Sequence, residues 1–422
     1  MIVMRTRVLV VAALVLIVAA AHAQQPPQRP ERPPGTGLLV GRTIDAGTGR
    51  PLPGAVVTIN GSSVGASLRL MSDKEGRFVV RELRKGTLTM TAAKPGYLDG
   101  AFGRRRPGGL LQSIDVEDGA RIGDATIVLW RHGAIAGTVV DEAGEPVVGV
   151  PVRAFRRTFA AGRRGFGGGN MAMTDDRGMY RLANLTPGDY LVAVVSTTVA
   201  IPLDLAEDMR QASISNAPNW TATYREVMSI GVVGNVTSNP NSVQVGTQLL
   251  QTPGRGGAVP PPPDENGRLF VYPSTFYPGA TSAATAQLVA VASGEERPSV
   301  DFQLKPVATV RVSGNVTGAG GPVANVVLHL VAEGSEQLPD FDTAATAADK
   351  NGAFMFAAVP SGQYTIRIVQ LPRPLPSPNT TATVVQMGGG MMFSTMTSTS
   401  GPNDPLPPVP TEPALWATVP VT

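Results

Sequence analysis

The chain offers very few side chains with the chemistry of a hydrolytic metal site. It has no cysteine and three histidines, of which His132 and His329 lie beyond the N-terminal apolar run. A catalytic zinc ion needs three protein ligands close together, most often histidine or glutamate. Neither histidine has the His-x-x-Glu or His-Glu-x-x-His spacing that gathers such ligands on one element. We therefore expect no catalytic residue, no metal site and no cofactor.

Carboxylates recur beside glycines in a pattern that superficially resembles a calcium loop. Three Asp-x-x-Gly sequences each precede an aromatic residue: Asp73, Gly76 and Phe78; Asp175, Gly178 and Tyr180; Asp349, Gly352 and Phe354. Calcium needs six to eight oxygens, and an EF-hand supplies them across a loop that ends in glutamate, which none of these segments offers. Aspartate satisfies turn amides and glycine takes positive φ at little cost, so the pattern predicts hairpin turns.

Arginines form two clusters on a chain that is otherwise almost neutral. One is Arg104 to Arg106, and the other lies between Arg153 and Arg164. The formal charge of +3 falls to +1 (3 − 2) without Arg5 and Arg7, which argues against nucleic-acid binding. Solvated loops are the simpler interpretation of both clusters. The alternative is that they bind phosphate or uronate groups of glycans.

Four aromatic residues offer rings that stack on sugars, although such residues in sandwiches are more often part of the core. They are Tyr97, Trp220, Tyr224 and Tyr277.

The N-terminus has the pattern of a secretory signal peptide. Arg5 and Arg7 precede an apolar run from Val8 to Ala20, which is too short to span a membrane. The small residues around His22 predict cleavage after Ala23, so residues 1–23 are assigned to a signal peptide helix and 24–36 to a Pro-rich linker. We expect export to the periplasm, cell surface or extracellular space, with no transmembrane segment in the mature chain.

One sequence pattern occurs three times along the chain. Its copies begin at Gly41, Gly137 and Gly314, and each reads as strand, turn and strand. The distance from the Asp of the turn to a second glycine is 13 residues in every copy, whereas the distance from the first Gly to that Asp is 32, 38 and 35 residues. The predicted structural turn positions are Asp73, Gly76, Gly86, Asp175, Gly178, Gly188, Asp349, Gly352 and Gly362.

The first copy resembles the carboxypeptidase regulatory-like domain. The resemblance is carried by Gly41 to Asp45, Pro51 to Val57, Asp73 to Phe78 and Lys94 to Tyr97, and it weakens in the third copy, where Gly318 replaces the acidic residue. It implies a transthyretin-like, or prealbumin-like, Greek-key sandwich of the kind grouped with carbohydrate-binding folds. Short alternating strands independently indicate a β-sandwich.

The predicted architecture is all-β, with tandem sandwich modules joined by Pro/Gly-rich linkers. We assign residues 37–112 to sandwich 1, 113–199 to a connector strand and sandwich 2, and 267–373 to a connector strand and sandwich 3. Residues 200–266 are interpreted as a low-complexity insertion with a short helix at Asp204 to Ala212. Residues 374–422 are interpreted as a low-complexity tail and the start of a truncated connector.

These features favour an exported, non-catalytic protein of several modules that binds a ligand or acts as a spacer. The resemblance favours carbohydrate or another cell-envelope polymer as the partner. The alternative is the accessory N-terminal region of a larger exported peptidase or of an outer-membrane TonB-dependent receptor, because related modules occur in both. Fold alone decides neither ligand identity nor oligomeric state.

Overall fold

The computed structural model describes residues 35–160, 162–215, 217, 220–230, 242–251, 263–339, 341–370, 380–387, 391–398 and 415–422. The described residues form mostly β-strands, so the all-β, multi-module prediction is confirmed. The predicted signal peptide and nearly all of the Pro-rich linker lie outside the described residues. The chain divides into two compact units at Leu129/Trp130, and each is described by itself.

The first unit is one β-sandwich. Its strands are β1 (Gly37–Asp45), β2 (Val56–Asn60), β3 (Leu68–Met71), β4 (Arg77–Leu83), β5 (Gly86–Ala93), β6 (Tyr97–Leu98), β7 (Gly100–Ala101), β8 (Ser113–Val116) and β9 (Arg121–Arg131). One sheet has the order β4-β1-β9-β6, and the other has β3-β2-β5-β7 with β8 also paired to β5. Alternate apolar residues such as Ile59, Met90 and Ile127 are fully buried, because successive side chains of a strand face opposite sides of its sheet.

Strand β9 completes the first module and does not begin the second. It lies parallel to β1, with Gly41 opposite Ala125 and Thr43 opposite Ile127, and it buries Ile127 and Leu129 in the module core. The predicted boundary at 112/113 is therefore corrected. A connector that runs back beside the first strand of its own module removes the apolar side chains of Ala125, Ile127 and Leu129 from water, which a free linker does not do.

The second unit begins with six strands: β10 (Gly133–Val140), β11 (Pro151–Ala160), β12 (Arg163–Phe166), β13 (Asn170–Met173), β14 (Met179–Leu185) and β15 (Gly188–Val194). Strand β12 forms a hairpin with β11. They are followed by β16 (Thr198–Pro202), α1 (Leu203–Ile214), α2 (Trp220–Thr223), α3 (Arg225–Ser229), β17 (Ser242–Val245), β18 (Gln248–Gln251) and β19 (Phe270–Val271).

Further along are β20 (Thr275–Phe276), a short 3-10 helix (Ala283–Thr285), β21 (Leu288–Val291), β22 (Glu296–Arg297) and β23 (Phe302–Gln303). The unit ends with β24 (Val307–Asn315), β25 (Thr317–Gly318), β26 (Gly321–Pro322), β27 (Val327–Ala332), β28 (Ala344–Ala347), β29 (Ala353–Pro360), β30 (Tyr364–Gln370), β31 (Thr380–Met387), β32 (Met391–Ser398) and β33 (Leu415–Val421).

The second module is closed in the same way as the first. Strands β22 and β23 lie parallel to β10, and β21 pairs with β15. The Tyr180 hydroxyl donates a hydrogen bond of 2.6 Å to the Val300 carbonyl, and burial raises the pKa of Tyr180 above its usual value. Val300, Phe302 and Leu304 are buried in the core of this module. Residues 288–304, assigned above to the third module, therefore belong to the second.

The segment at 200–266 contains ordered elements that pack on the third module. The helix expected at Asp204 to Ala212 is α1, and it buries Leu205, Ala206 and Met209. Strand β16, just before it, pairs in parallel with β28, which places the described part of the insertion in a seven-stranded sheet of order β17-β18-β16-β28-β27-β30-β33. The apolar residues of α1 cover that sheet, which explains why composition alone misjudged the segment.

The third module has one full sheet and one small one. The small sheet contains β19, β24 and β29, with β19 antiparallel to the first two residues of β24. Within the segment interpreted as a low-complexity tail, β31 and β32 form a hairpin and β33 pairs with β30. Among the described residues, no helix is long and apolar enough to cross a membrane.

Candidate binding surface

The Asp-x-x-Gly segments form the same turn in all three modules. In each, the Asp Oδ1 accepts hydrogen bonds from two backbone amides that lie two and four residues further on, at 2.6–3.0 Å: Glu75 and Arg77 for Asp73, Arg177 and Met179 for Asp175, Asn351 and Ala353 for Asp349. The glycines have positive φ, at 71° for Gly76, 70° for Gly178 and 78° for Gly352. These carboxylates are occupied as turn acceptors.

Two further copies of this turn were not singled out by sequence reasoning. Asp141 Oδ1 accepts from the amides of Ala143 and Glu145, and Asp264 Oδ1 accepts from those of Asn266 and Arg268. The signal was present, since both read Asp-x-x-Gly, but neither is followed by the aromatic residue that marks the others.

The second glycines of the pattern take different conformations. Gly86 and Gly188 have φ of 152° and 155°, where a side chain is strained, whereas Gly362 has no positive φ and faces the ring of Tyr364. The equal spacing therefore marks one turn position whose backbone differs in the third module.

Replacing Asp175 with alanine is expected to lower the free energy of unfolding by about 1 kcal/mol, because two turn amides lose their acceptor. Asp175→Asn keeps an oxygen at Oδ1 and is the matched control, with an expected cost of less than about 0.5 kcal/mol. Urea denaturation of both variants measures the difference. Equal losses would show that the charge, and not the turn hydrogen bonds, matters.

The histidines and carboxylates do not assemble into a metal site within the part of the chain that the structure describes. His329 Nδ1 lies 2.7 Å from Asp342 Oδ2, and His132 belongs to the first residues of the second unit. The Nδ1 atom of His132 is buried and has no hydrogen-bond partner among the described residues.

The arginine-rich segment of the second module forms a β-hairpin, which we call the arginine hairpin (β11 and β12, residues 151–166). The pairs Arg157 with Phe166 and Phe159 with Arg164 lie opposite one another across it. Cross-strand neighbours and residues two apart share a face, so these four side chains form one face of alternating cationic and aromatic groups. Sequence reasoning found the arginines but not Phe159, which is 72% exposed.

The arginines of the hairpin divide into anchored and free groups. Arg157 forms an ion pair with Asp189 on β15, and Arg156 Nη2 donates to the Pro187 carbonyl. Arg153 lies over the ring of Phe155, 4.8 Å from its centroid. Arg163 and Arg164 are exposed, and no carboxylate of the described residues pairs with either. The hairpin, whose base is fixed, therefore presents Arg164 on the face of Phe159 and Arg163 on the opposite face.

The other arginine cluster is tied into its own loop. Arg104 Nε donates to the Gly109 carbonyl and its Nη1 to the Asp99 carbonyl, at 2.9 and 2.7 Å. Such contacts fold the loop on itself, in agreement with the simpler interpretation of that cluster.

The four aromatic candidates do not form an exposed platform. The Tyr97 hydroxyl donates to Asp45 Oδ2 at 2.8 Å, and Tyr277 packs edge-on against Phe302. Tyr224 packs against the core around α1, and Trp220 begins α2. Phe159, which no motif marks, is exposed and lies opposite Arg164 across the hairpin.

Comparison with family models matches residues 39–129 to the carboxypeptidase regulatory-like domain. The match begins on β1 and ends on β9, so it includes the closing strand. The first module is a carboxypeptidase regulatory-like domain. This regulatory-like domain occupies less than a quarter of the 422 residues, and no curated protein matches the chain.

Solved structures with some likeness to the chain include the TIE protein of Bacillus anthracis, at 13% identity and a TM-score of 0.22, covering 86% of this chain and 48% of that one. The minor pilin of Streptococcus agalactiae has 11% identity and a TM-score of 0.26, covering 65% and 98%. The shaft pilin SpaA of Lactobacillus rhamnosus GG has 11% identity and a TM-score of 0.20, covering 37% and 86%.

The chain spans about half the length of the Bacillus anthracis protein. TM-scores in this range do not establish a common fold, so the sandwich architecture stands on the strand pairing described above. The regulatory-like domain is the part of the chain for which a family relation holds.

Proposed function

We propose that the protein is an exported, non-catalytic, multi-module binding protein whose arginine hairpin holds anionic groups of a carbohydrate or other cell-envelope polymer. The observation that carries this proposal is the exposed cation Arg164, which no carboxylate of the described residues pairs with, opposite the exposed ring of Phe159. Arg163, likewise without a carboxylate among the described residues, adds a second cation on the other face of the hairpin. Guanidinium groups bind phosphate and carboxylate in a planar, two-pronged geometry, and a neighbouring ring stacks on a sugar face.

The architecture of the module supports this role. Strand β11 runs through the sheet that contains β13 and β15, so the base of the hairpin is held on both edges. A rigid base reduces the conformational entropy lost on binding. The N-terminal apolar run supports export, and the regulatory-like family of the first module supports a binding role rather than a catalytic one.

The test measures binding of the full chain to immobilised polysaccharides that carry uronate or phosphate groups, with a neutral polysaccharide of similar size as reference. The double variant Arg163→Ser/Arg164→Ser is expected to weaken binding at least about tenfold at low ionic strength, and added salt to weaken binding of the wild type. The charge-matched control is Arg50→Ser/Arg177→Ser, which removes two exposed arginines elsewhere and should change little.

A second variant separates stacking from charge. Phe159→Ser is expected to weaken binding to the anionic polysaccharide by about threefold to thirtyfold without changing its salt dependence. Equal losses in the hairpin double variant and its control would contradict the proposal, as would equal binding to neutral and anionic polymers. A mechanical spacer would show no binding to any of them.

A further inference from the structure

The outward face of one sheet of the first module carries four exposed arginines, which we call the basic face: Arg42, Arg77, Arg81 and Arg121. Arg77 and Arg81 lie at alternate positions of β4, Arg42 lies opposite Arg77 on β1, and Arg121 lies opposite Leu38 on β9. The residues between them point into the core, so these side chains share the other face of the sheet. Strand pairing thus brings together arginines that are up to 79 residues apart (121 − 42).

The basic face has no carboxylate to balance its charge. Arg42 Nε donates a hydrogen bond of 3.3 Å to Thr126 Oγ1, and none of the four arginines forms an ion pair within the described part of the chain. The exposed carboxylates of Glu82 and Asp124, on the same strands, form none either. Cations held close together repel one another, which favours an anionic partner.

The other modules show that the fold does not need these arginines. The residues at the corresponding positions are not cations: they are Thr138, Met179, Ala183 and Glu296 in the second module, and Asn315, Ala353 and Ala357 at three of the positions in the third. In the second module Glu296 forms an ion pair with Arg181, so that face balances its own charge. The basic face is therefore a property of the first module alone and not of the repeat.

Exposed aliphatic side chains fill the middle of the basic face. Val40 and Val79 lie opposite one another, between the arginines at the two ends of the strands, and they are 38% and 47% exposed. Leu38 is half-buried beside Arg121. At about 3.3 Å per residue and about 4.8 Å between strands, the arginines surround this apolar centre within an area of roughly 10 Å by 13 Å.

A membrane surface with anionic lipids matches this arrangement. It presents phosphates in a layer, which guanidinium groups bind, above apolar groups that short aliphatic side chains contact. Each cation near such a surface strengthens binding about fivefold. A sugar polymer fits less well, because no aromatic residue in the described part of the first unit is exposed for stacking. A peptide that extends a sheet pairs with a strand edge, whereas the arginines lie on the face.

We propose that the basic face docks the first module on a membrane surface that contains anionic lipids. The four arginines contact lipid phosphates, and Val40 and Val79 lie at the level of the headgroups. This surface belongs to a different module from the arginine hairpin and binds lipid, so it goes beyond the polymer binding proposed above.

The test is cosedimentation of the full chain with vesicles of phosphatidylcholine, with and without phosphatidylglycerol. We expect binding that depends on phosphatidylglycerol and that added salt weakens. The phosphatidylcholine vesicles also account for insertion of the N-terminal apolar run. Soluble glycerol phosphate and poly-glutamate, at the same concentration of anionic groups, should not displace the protein from the vesicles.

A double variant of the basic face measures the contribution of charge. Arg81→Gln/Arg121→Gln is expected to weaken binding to the phosphatidylglycerol vesicles roughly thirtyfold, because two cations are lost. The matched control is Arg69→Gln/Arg106→Gln, which removes two exposed arginines of the same module, on β3 and in the loop after β7. The hairpin variant Arg163→Ser/Arg164→Ser should retain most of its vesicle binding, so this proposal and the polymer proposal fail independently.

A variant of the aliphatic centre separates apolar contact from charge. Val40→Thr/Val79→Thr keeps the side-chain shape and a residue type that suits strands, so the variant should fold, which circular dichroism verifies. We expect about threefold to tenfold weaker vesicle binding with an unchanged salt dependence.

The orientation of the module on the membrane is measured by methyl NMR with nanodiscs that contain a nitroxide-labelled lipid. The methyl signals of Val40 and Val79 should broaden, whereas that of Met71, 67% exposed on the other sheet, should not.

Four results would overturn the proposal. These are equal binding to vesicles with and without phosphatidylglycerol, equal losses in the arginine variant and its control, broadening of Met71 but not of the two valines, and displacement by soluble anions. Displacement by glycerol phosphate would indicate a site for isolated phosphate, and displacement by poly-glutamate would indicate an acidic polypeptide as the partner.

Discussion

Phe302→Ala is expected to lower the free energy of unfolding of the second module by about 3–5 kcal/mol. The ring is 2% exposed and lies 6.2 Å from the ring of Tyr180 and 6.1 Å from that of Tyr277, centroid to centroid. Its removal leaves a cavity between a closing strand and the rest of the core, which the surrounding strands fill only in part. Urea denaturation, followed by circular dichroism, measures the change.

The location of the destabilised strands shows which module contains β23. The structure places β23 in the second module, whereas the sequence analysis assigned its residues to the third. Hydrogen exchange in Phe302→Ala should rise in β10 and β14, because β23 lies in the core that they share. Leu110→Ala, at a residue that is 91% exposed, is the control and should cost less than about 0.5 kcal/mol. Faster exchange confined to β24 and β29 would contradict the assignment, since Phe302 would then support the third module.

Substitution of the glycines that begin the copies of the repeat, Gly41 and Gly137, is expected to have the second large effect on stability. Gly137→Ala is expected to destabilise the second module by about 1–3 kcal/mol or more, because the added methyl group would lie 2.1 Å from the Val300 carbonyl oxygen. Gly41→Ala should behave in the same way in the first module, where the added group meets the Phe78 ring at 2.3 Å and the Ala125 oxygen at 2.6 Å. Backbone atoms of a paired strand cannot move aside without breaking that pairing.

Gly314→Ala is the matched comparison in the third module. There the new methyl group meets only the Phe354 ring, at 2.9 Å, and a half-buried ring shifts more easily than a strand. We expect a cost of less than about 1 kcal/mol. Urea midpoints of the three variants provide the measurement. A loss at Gly314 as large as the loss at Gly137 would indicate that a strand lies against β24 as well.

The turns could be predicted from sequence because their chemistry is local. Asp175 and Gly178 interact with groups at most four residues away, so residue type and spacing carry the information. The inward aromatic residues Phe78 and Tyr180 were predicted for the same reason, since strand alternation follows directly from the turn.

The closing strands could be recognised as strands but not assigned to a module. Gly41 pairs with Ala125, 84 residues away, and alternation in Ala125 to Leu129 indicates one buried face without naming the sheet that buries it. Because each closing strand directly precedes the next copy of the repeat, its position along the chain suggested that it belongs to the module that follows it. The parallel pairing with the preceding one is a tertiary choice that only the assembled core determines.

The candidate site was predicted in part. Composition located the arginines between Arg153 and Arg164, but which of them are free depends on contacts with Asp189 and Pro187, which come from another strand and turn. Phe159 was missed because one aromatic residue in a strand is usually buried, and its exposure follows from its place near the tip of the hairpin.

The most direct test of the account is residue-resolved hydrogen exchange of the full chain in the absence of any ligand. If a parallel strand closes each of the first two modules, the amides of β1 and β10 that point toward it should be strongly protected. The corresponding amides of β24 between Val310 and Asn315, for which the described residues provide no parallel partner, should exchange rapidly. Equal protection at all three edges, or rapid exchange along β1 and β10, would contradict the account.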